Sequence, residues 1–218
     1  MKRLRQTATT LLACYFMLIA ARVTAADSYS LDMSHTSIVF GISHFNYSYT
    51  YGRFNKAQGS FRWDNANPAA GQFVLAIDAA SIDTNDPKRD DHLRNADFFN
   101  ANQFPQIVFQ STAIKPTGSN NFDVLGNLTM HGVTKQVTLP VRKLGEGQGP
   151  YGKHRCGFFC QTTLNRSDFG MSNMIPNIGN QVAITISFEG IRQAGTGSGS
   201  ASAGSGSAAK PAGSGSAP

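Results

Sequence analysis

Between residues 27 and 193, apolar side chains return at every second position in a succession of short runs. Ile38, Phe40 and Ile42 share one parity, as do Phe73, Leu75 and Ile77. The same alternation governs Phe122, Val124, Leu128 and Met130, then Val137, Leu139 and Val141, then Val182, Ile184, Ile186 and Phe188. Successive side chains of an extended chain point to opposite faces, so this period predicts strands with one apolar and one polar face. Turn-forming clusters separate the runs at Asp64 to Pro68, Gly118 to Asn121, His131-Gly132, Gly145 to Pro150 and Pro176 to Asn180. The result is about eight strands with short antiparallel connections, an all-β chain that closes as a sandwich or as an up-and-down barrel. The single Trp63 has no cysteine pair at immunoglobulin spacing, which favours the barrel. A barrel of that size is one that side chains just fill or that holds one small ligand.

One stretch interrupts the alternation. Asp91 to Asn100 is charged and helix-prone, and upstream of it Asn85 or Asp86 offers an N-cap oxygen and Pro87 suits the first helical position. A short helix from Pro87 to Arg94 follows, and then the chain turns apolar at Phe98-Phe99. A polar helix followed by paired aromatics suits a plug or lid near a barrel mouth. An ordinary connection that packs two aromatics onto a core accounts for it equally well.

The two ends of the chain differ from its middle. Lys2, Arg3 and Arg5 precede the apolar run Leu11 to Ala21, with small residues at Val23 to Ala26, the pattern of a secretory signal peptide over residues 1–26. A lipoprotein site at Cys14 fits less well, because most of the apolar run follows that residue. Export to the periplasm, or secretion, is the expectation. Losing residues 1–26 removes four basic residues and no acid, so the formal charge falls from +6 to +2. No Lys/Arg run remains after it, which argues against nucleic acid as a partner, and no integral membrane segment is expected after cleavage. Residues 27–193 suit one domain with a single core. Residues 194–218 hold only Gly, Ser, Ala, Thr and Pro apart from Lys210, a composition expected to remain a flexible tail.

Six stretches together resemble a known family. They are Tyr29-Ser30-Leu31-Asp32 with His35 to Phe40; Ser81-Ile82-Asp83-Thr84; Asp91 to Arg94 with Asp97-Phe98-Phe99; Phe104 to Ile107; Gly126 to Val137; and Asn165 to Met171. In that order they resemble the YceI-like, polyisoprenoid-binding family of bacterial periplasmic proteins. The resemblance implies a lipocalin-like antiparallel barrel whose apolar pocket holds an isoprenoid, a quinone or another long-chain lipid, with no cofactor. Two departures from the family pattern stand out. Tyr47, Tyr49 and Tyr51 fall on one face of an extended segment and either reshape the pocket or form a surface strip. Cys156 and Cys160 stand where apolar strand residues are expected, which puts the regularity of that strand in doubt.

Catalytic chemistry is hard to assemble from these residues. None of His35, His44, His92, His131 and His154 sits near another at metal-ligand spacing, and neither a nucleophile elbow nor a phosphate loop is present. Asp168 beside Arg166 reads chiefly as a charge-satisfied corner between two strands. The expected ligand-lining set is Phe40, Ile42, Phe73, Leu75 and Ile77, joined by Phe98, Phe109 and Phe169. Asp91, His92 and Arg94 are expected at the mouth, where a guanidinium fork can hold a head group that an apolar tube cannot. The reading is therefore a non-enzymatic lipid carrier, with a homodimer possible. A packed-barrel interaction module is the alternative, and a lipid-modifying enzyme using Asp168 or His92 the more distant one.

Overall fold

A computed structural model describes residues 26–194, so the leader and most of the tail expected from the sequence lie outside the described residues. The chain runs through β1 (Asp27–His44), β2 (Ser48–Phe54), β3 (Ala57–Trp63), β4 (Gln72–Asp78) and β5 (Ile82–Asp83) before α1 (Pro87–Arg94). It continues through β6 (Gln106–Pro116), β7 (Asn121–Met130), β8 (Val133–Gln148), β9 (His154–Asn165) and β10 (Ile178–Arg192). β1 pairs with β3 along its first half, Ser30 opposite Ser60, and with β2 along its second half, Val39 opposite Arg53. β2 and β3 are thus one course broken at Asn55-Lys56. β4 and β5 form the next course in the same way, pairing with β3 and β2 respectively. Counted by course, eight antiparallel strands follow in chain order, and β10 closes the barrel on β1. Closure removes the long sheet edges that would otherwise pair with another chain and leaves unpaired only the outer side of the two-residue β5, which bonds to β2 alone.

The apolar parity sets face inward. Ile38, Phe40 and Ile42 stand opposite Ile186, Ile184 and Val182 across the closing seam, and Leu75 and Ile77 stand opposite Phe109 and Ile107. The opposite parity faces water, and that face includes the tyrosines: Tyr47, Tyr49 and Tyr51 are 90%, 68% and 66% exposed. They form a surface strip and leave the interior unobstructed. β9 is regular against β10, pairing without a shift from Arg155 to Asn165, so the cysteines do not break that ladder. Both thiols are unbridged and buried, four residues apart on the inward face.

Local chemistry sets the connections. At the β7–β8 hairpin, His131 and Gly132 both take positive φ, 52° and 77°, as a two-residue turn that matches strand twist requires. A Cβ at Gly132 would also lie 2.6 Å from the Phe104 ring, so this position needs glycine on two counts. α1 begins where expected, with Asp86 as its N-cap accepting from the N–H groups of Lys88 and Arg89 at 3.0 and 3.2 Å. It lies between the β4–β5 course and β6.

The barrel is packed solid at one end. Trp63 meets Phe122 and Phe158 edge-on with centroids 4.9 Å away in each case, and Phe158 packs in turn against Phe61, Phe73 and Phe188. Phe158 and Cys156 have no exposed surface. This aromatic layer is a floor. Above it the inward faces of the strands converge without meeting.

Candidate functional site

Above the floor lies a cavity of about 450 Å³. Phe61, Phe73, Phe188 and Val141 border its deep end, Leu75, Phe109, Leu139 and Ile186 its middle, and Ile42, Ile77, Met130 and Val182 its upper wall. It reaches the end of the barrel where β1 stops at His44 and β10 starts at Ile178. There α1 and the segment after it supply Arg89, His92, Leu93, Phe98 and Phe99 to its border. The reason for this wall is the alternation itself. Each strand contributes every second residue to one lining, and most of those residues are aliphatic or aromatic, with Thr36, Thr50, Cys160 and Thr162 among the exceptions.

Thr36, Thr50, Ser60 and Thr162 border the cavity along the strands, and its charged side chains gather at that upper end. Arg89 donates from Nε to Thr84 Oγ1 and from Nη2 to the Thr84 carbonyl, both at 2.7 Å, and Thr84 in turn donates to the buried Asp90 at 2.6 Å. His92 packs edge-on against Phe98 with centroids 4.9 Å apart, its Nε2 lying 3.3 Å from the exposed Asp97. Arg166, only 5% exposed, lies under the corner that joins β9 to β10. Its guanidinium donates to the carbonyls of Gly179, Met171, Asn173 and Ile178 at 2.8 to 3.0 Å and stands 5.9 Å from the Phe98 ring. Burial pulls its pKa down from the ordinary arginine value. Lower on the wall, burial pushes the Cys160 thiol up to about 11, so it meets the cavity uncharged.

The expected lining residues divide in two. Phe40, Ile42, Phe73, Leu75, Ile77, Phe98, Phe109 and His92 border the cavity. Asp91, Arg94 and Phe169 are not among its lining residues, and the reasons are visible. Arg94 turns away to donate to the carbonyls of Ala80 and Ile82 at 2.8 and 2.9 Å, and it pairs with Asp91 at 2.8 Å. It fastens α1 to the β4–β5 course. Phe169 is 2% exposed in the β9–β10 corner, where its carbonyl lies 3.0 Å from His131 Nδ1. The corner expected around Arg166 is present, but Asp168 does not neutralise it. Asp168 lies 3.5 Å from the Asn165 amide instead. Arg89 is a lining residue that the sequence does not single out, and Arg166, which the sequence marks only as a corner, borders the cavity as well. An arginine bound to backbone carbonyls leaves no periodic trace, and the only local signal at Arg166 is its spacing from Asp168.

The family model for the YceI-like domain matches residues 29–190. A UPF0312 protein of Azotobacter vinelandii is 40% identical over 192 residues, which is 87% of this chain and all of that protein. Among solved structures, BcnA of Burkholderia cenocepacia is 28% identical with a TM-score of 0.67, over 73% of this chain and 98% of that one. A polyisoprenoid binding domain from Saccharophagus degradans, implicated in plant cell wall breakdown, shares the fold at 18% identity and a TM-score of 0.59. That match covers 78% of this chain and the whole of the other.

Proposed function

The chain belongs to the YceI-like family, and from that premise we propose that it is a non-enzymatic carrier of a long-chain apolar amphiphile. The observation that carries this reading is the unfilled, almost wholly apolar space between the aromatic floor and α1. Its 450 Å³ lies within the roughly 300–1,000 Å³ of small-molecule sites. At the ~30 Å³ a water takes up in the liquid, it holds roughly fifteen methylene-sized groups. Burying those at about 0.8 kcal/mol each gives roughly 12 kcal/mol of gross transfer energy, the scale of a nanomolar complex. Ordering the ligand offsets part of that. The wall therefore dominates affinity, and a polyisoprenoid, quinone or fatty-acid-like chain longer than the tube projects from its upper end. The polyisoprenoid-binding domain that shares the fold supports the same class of ligand.

The basic, then apolar leader supports work in the periplasm or outside the cell. A packed interaction module is disfavoured by the space itself. For a lipid-modifying enzyme, the acid–base groups at hand are the imidazoles of His44 and His92, since no Asp or Glu, Asp168 included, borders the cavity among the described residues and the Cys160 thiol is held uncharged by burial. Mass spectrometry of organic extracts from protein purified from its own compartment separates these readings. A stoichiometric, chemically unaltered long-chain amphiphile is the expected result. An empty protein that also fails to bind a neutral apolar dye such as N-phenyl-1-naphthylamine would overturn the carrier role.

A further inference from the structure

The ionisable side chains that border the cavity are all of one kind apart from the buried thiol. Arg89, His92, Arg166 and His44 reach it from the same end, and among the described residues no carboxylate does. Two of these groups have their charge answered nearby. Arg89 is linked through Thr84 to the buried Asp90, and His92 has Asp97 within 3.3 Å. Arg166 has no such partner. Four of its five N–H groups are taken by backbone carbonyls, one Nη1 hydrogen remains, and no Asp or Glu pairs with it among the described residues.

Carbonyl oxygens satisfy donors without neutralising a charge. A cation 95% removed from solvent, beside an apolar tube, is then a costly arrangement unless an anion enters the same space. In that low-dielectric setting the attraction between the two is stronger than it would be in water. Given the carrier role on which it rests, we infer that the ligand ends in an acidic head group, a carboxylate or a phosphate ester, seated against Arg166 beside Phe98 at the α1 end of the barrel. The chain of the ligand runs down to the aromatic floor. The head group meets the free Nη1 hydrogen near the Phe98 ring, against which His92 packs edge-on, and finds no carboxylate on the cavity lining to repel it. A neutral carbonyl would take the one hydrogen bond and leave the charge unanswered.

Matched ligands test this without any mutation. Dodecanoate and dodecan-1-ol, and farnesyl phosphate and farnesol, are each titrated at pH 8 and low salt against bound N-phenyl-1-naphthylamine. The acidic member of at least one pair is expected to bind tenfold or more tightly than its alcohol, and the pair that shows the preference tells a carboxylate from a phosphate. Alcohols that bind as well as the acids in both pairs would overturn the inference and leave the carrier role standing. Displacement by none of the four would overturn the carrier role itself. Arg166→Gln then locates the effect: the ratio is expected to fall towards one while alcohol binding persists, and a folded variant that keeps the full preference would refute the assignment to Arg166. Where loss of the four carbonyl bonds prevents folding, the wild-type ratios alone decide.

Discussion

Glu146, on β8 beneath the aromatic floor, accepts hydrogen bonds from four side chains: Tyr29 and Asn65 at 2.8 Å, Lys143 at 2.7 Å and His154 at 2.9 Å. Burial by itself pushes this carboxyl up. The bonds from Lys143, His154, Asn65 and Tyr29 outweigh that and hold it well below the usual value of 4.5. A carboxylate held low in the folded state stabilises the fold fully above its unfolded pKa and loses that contribution as pH falls through the window below it. The wild type should therefore keep its stability down to about pH 4.5 and weaken progressively below. Glu146→Gln removes the anion that Lys143, itself 11% exposed, relies on. It should cost roughly 1.5–3 kcal/mol at pH 7 in urea denaturation. It should also shallow the acid limb, and an unchanged pH profile would show that Glu146 does not carry it.

At the scale of single elements, α1 and β9 make separate claims. Arg94 ties α1 to the β4–β5 course through two carbonyls, so Arg94→Ala should lower stability by about 1–2 kcal/mol and leave the acid-to-alcohol binding ratio as it was. A change in that ratio with stability intact would return Arg94 to the head group. On β9 the two cysteines lie four residues apart on a regular strand, a Cα separation of about 13 Å against the roughly 7 Å limit for a bridge. Burial pushes Cys156 up to about 12 and Cys160 up to about 11, so thiolate is scarce at neutral pH. A chain starting at Asp27 should resist iodoacetamide at pH 8 when native and gain two adducts when denatured without reductant. No adduct in denaturant would mean a disulfide and a bent strand.

The molecule as a whole is divided between a dense floor and an open tube, and substitutions should report that division. Leu75, half-buried on the cavity wall opposite Phe109, has space in front of it. Leu75→Trp should therefore cost no more than about 1–2 kcal/mol while displacing the ligand. Adding bulk at Cys156 in the floor, as in Cys156→Leu, should carry the full ~1–3 kcal/mol of overpacking with binding retained. Denaturant midpoints and dye titration of the two variants read both effects, and equal costs at the two sites would deny the open tube. What the sequence determined by itself is what depends on near neighbours. The period of two placed Ile38, Phe40 and Ile42 on one face, and Pro87 behind a capping oxygen at Asn85 or Asp86 set the start of α1, with the structure choosing Asp86. The hairpin at His131-Gly132 is local in the same sense. Only the tertiary structure decided that the interior stays open. That depends on how side-chain volumes from eight courses sum across the barrel, and Phe158 fills its level while Leu75 does not. It also decided that Arg94 turns outward to carbonyls twelve and fourteen residues upstream while Arg166 is drawn under a corner beside the cavity. An arginine goes where unpaired carbonyls are, and in a closed sheet those lie at the breaks and corners, whose meeting points no local pattern records.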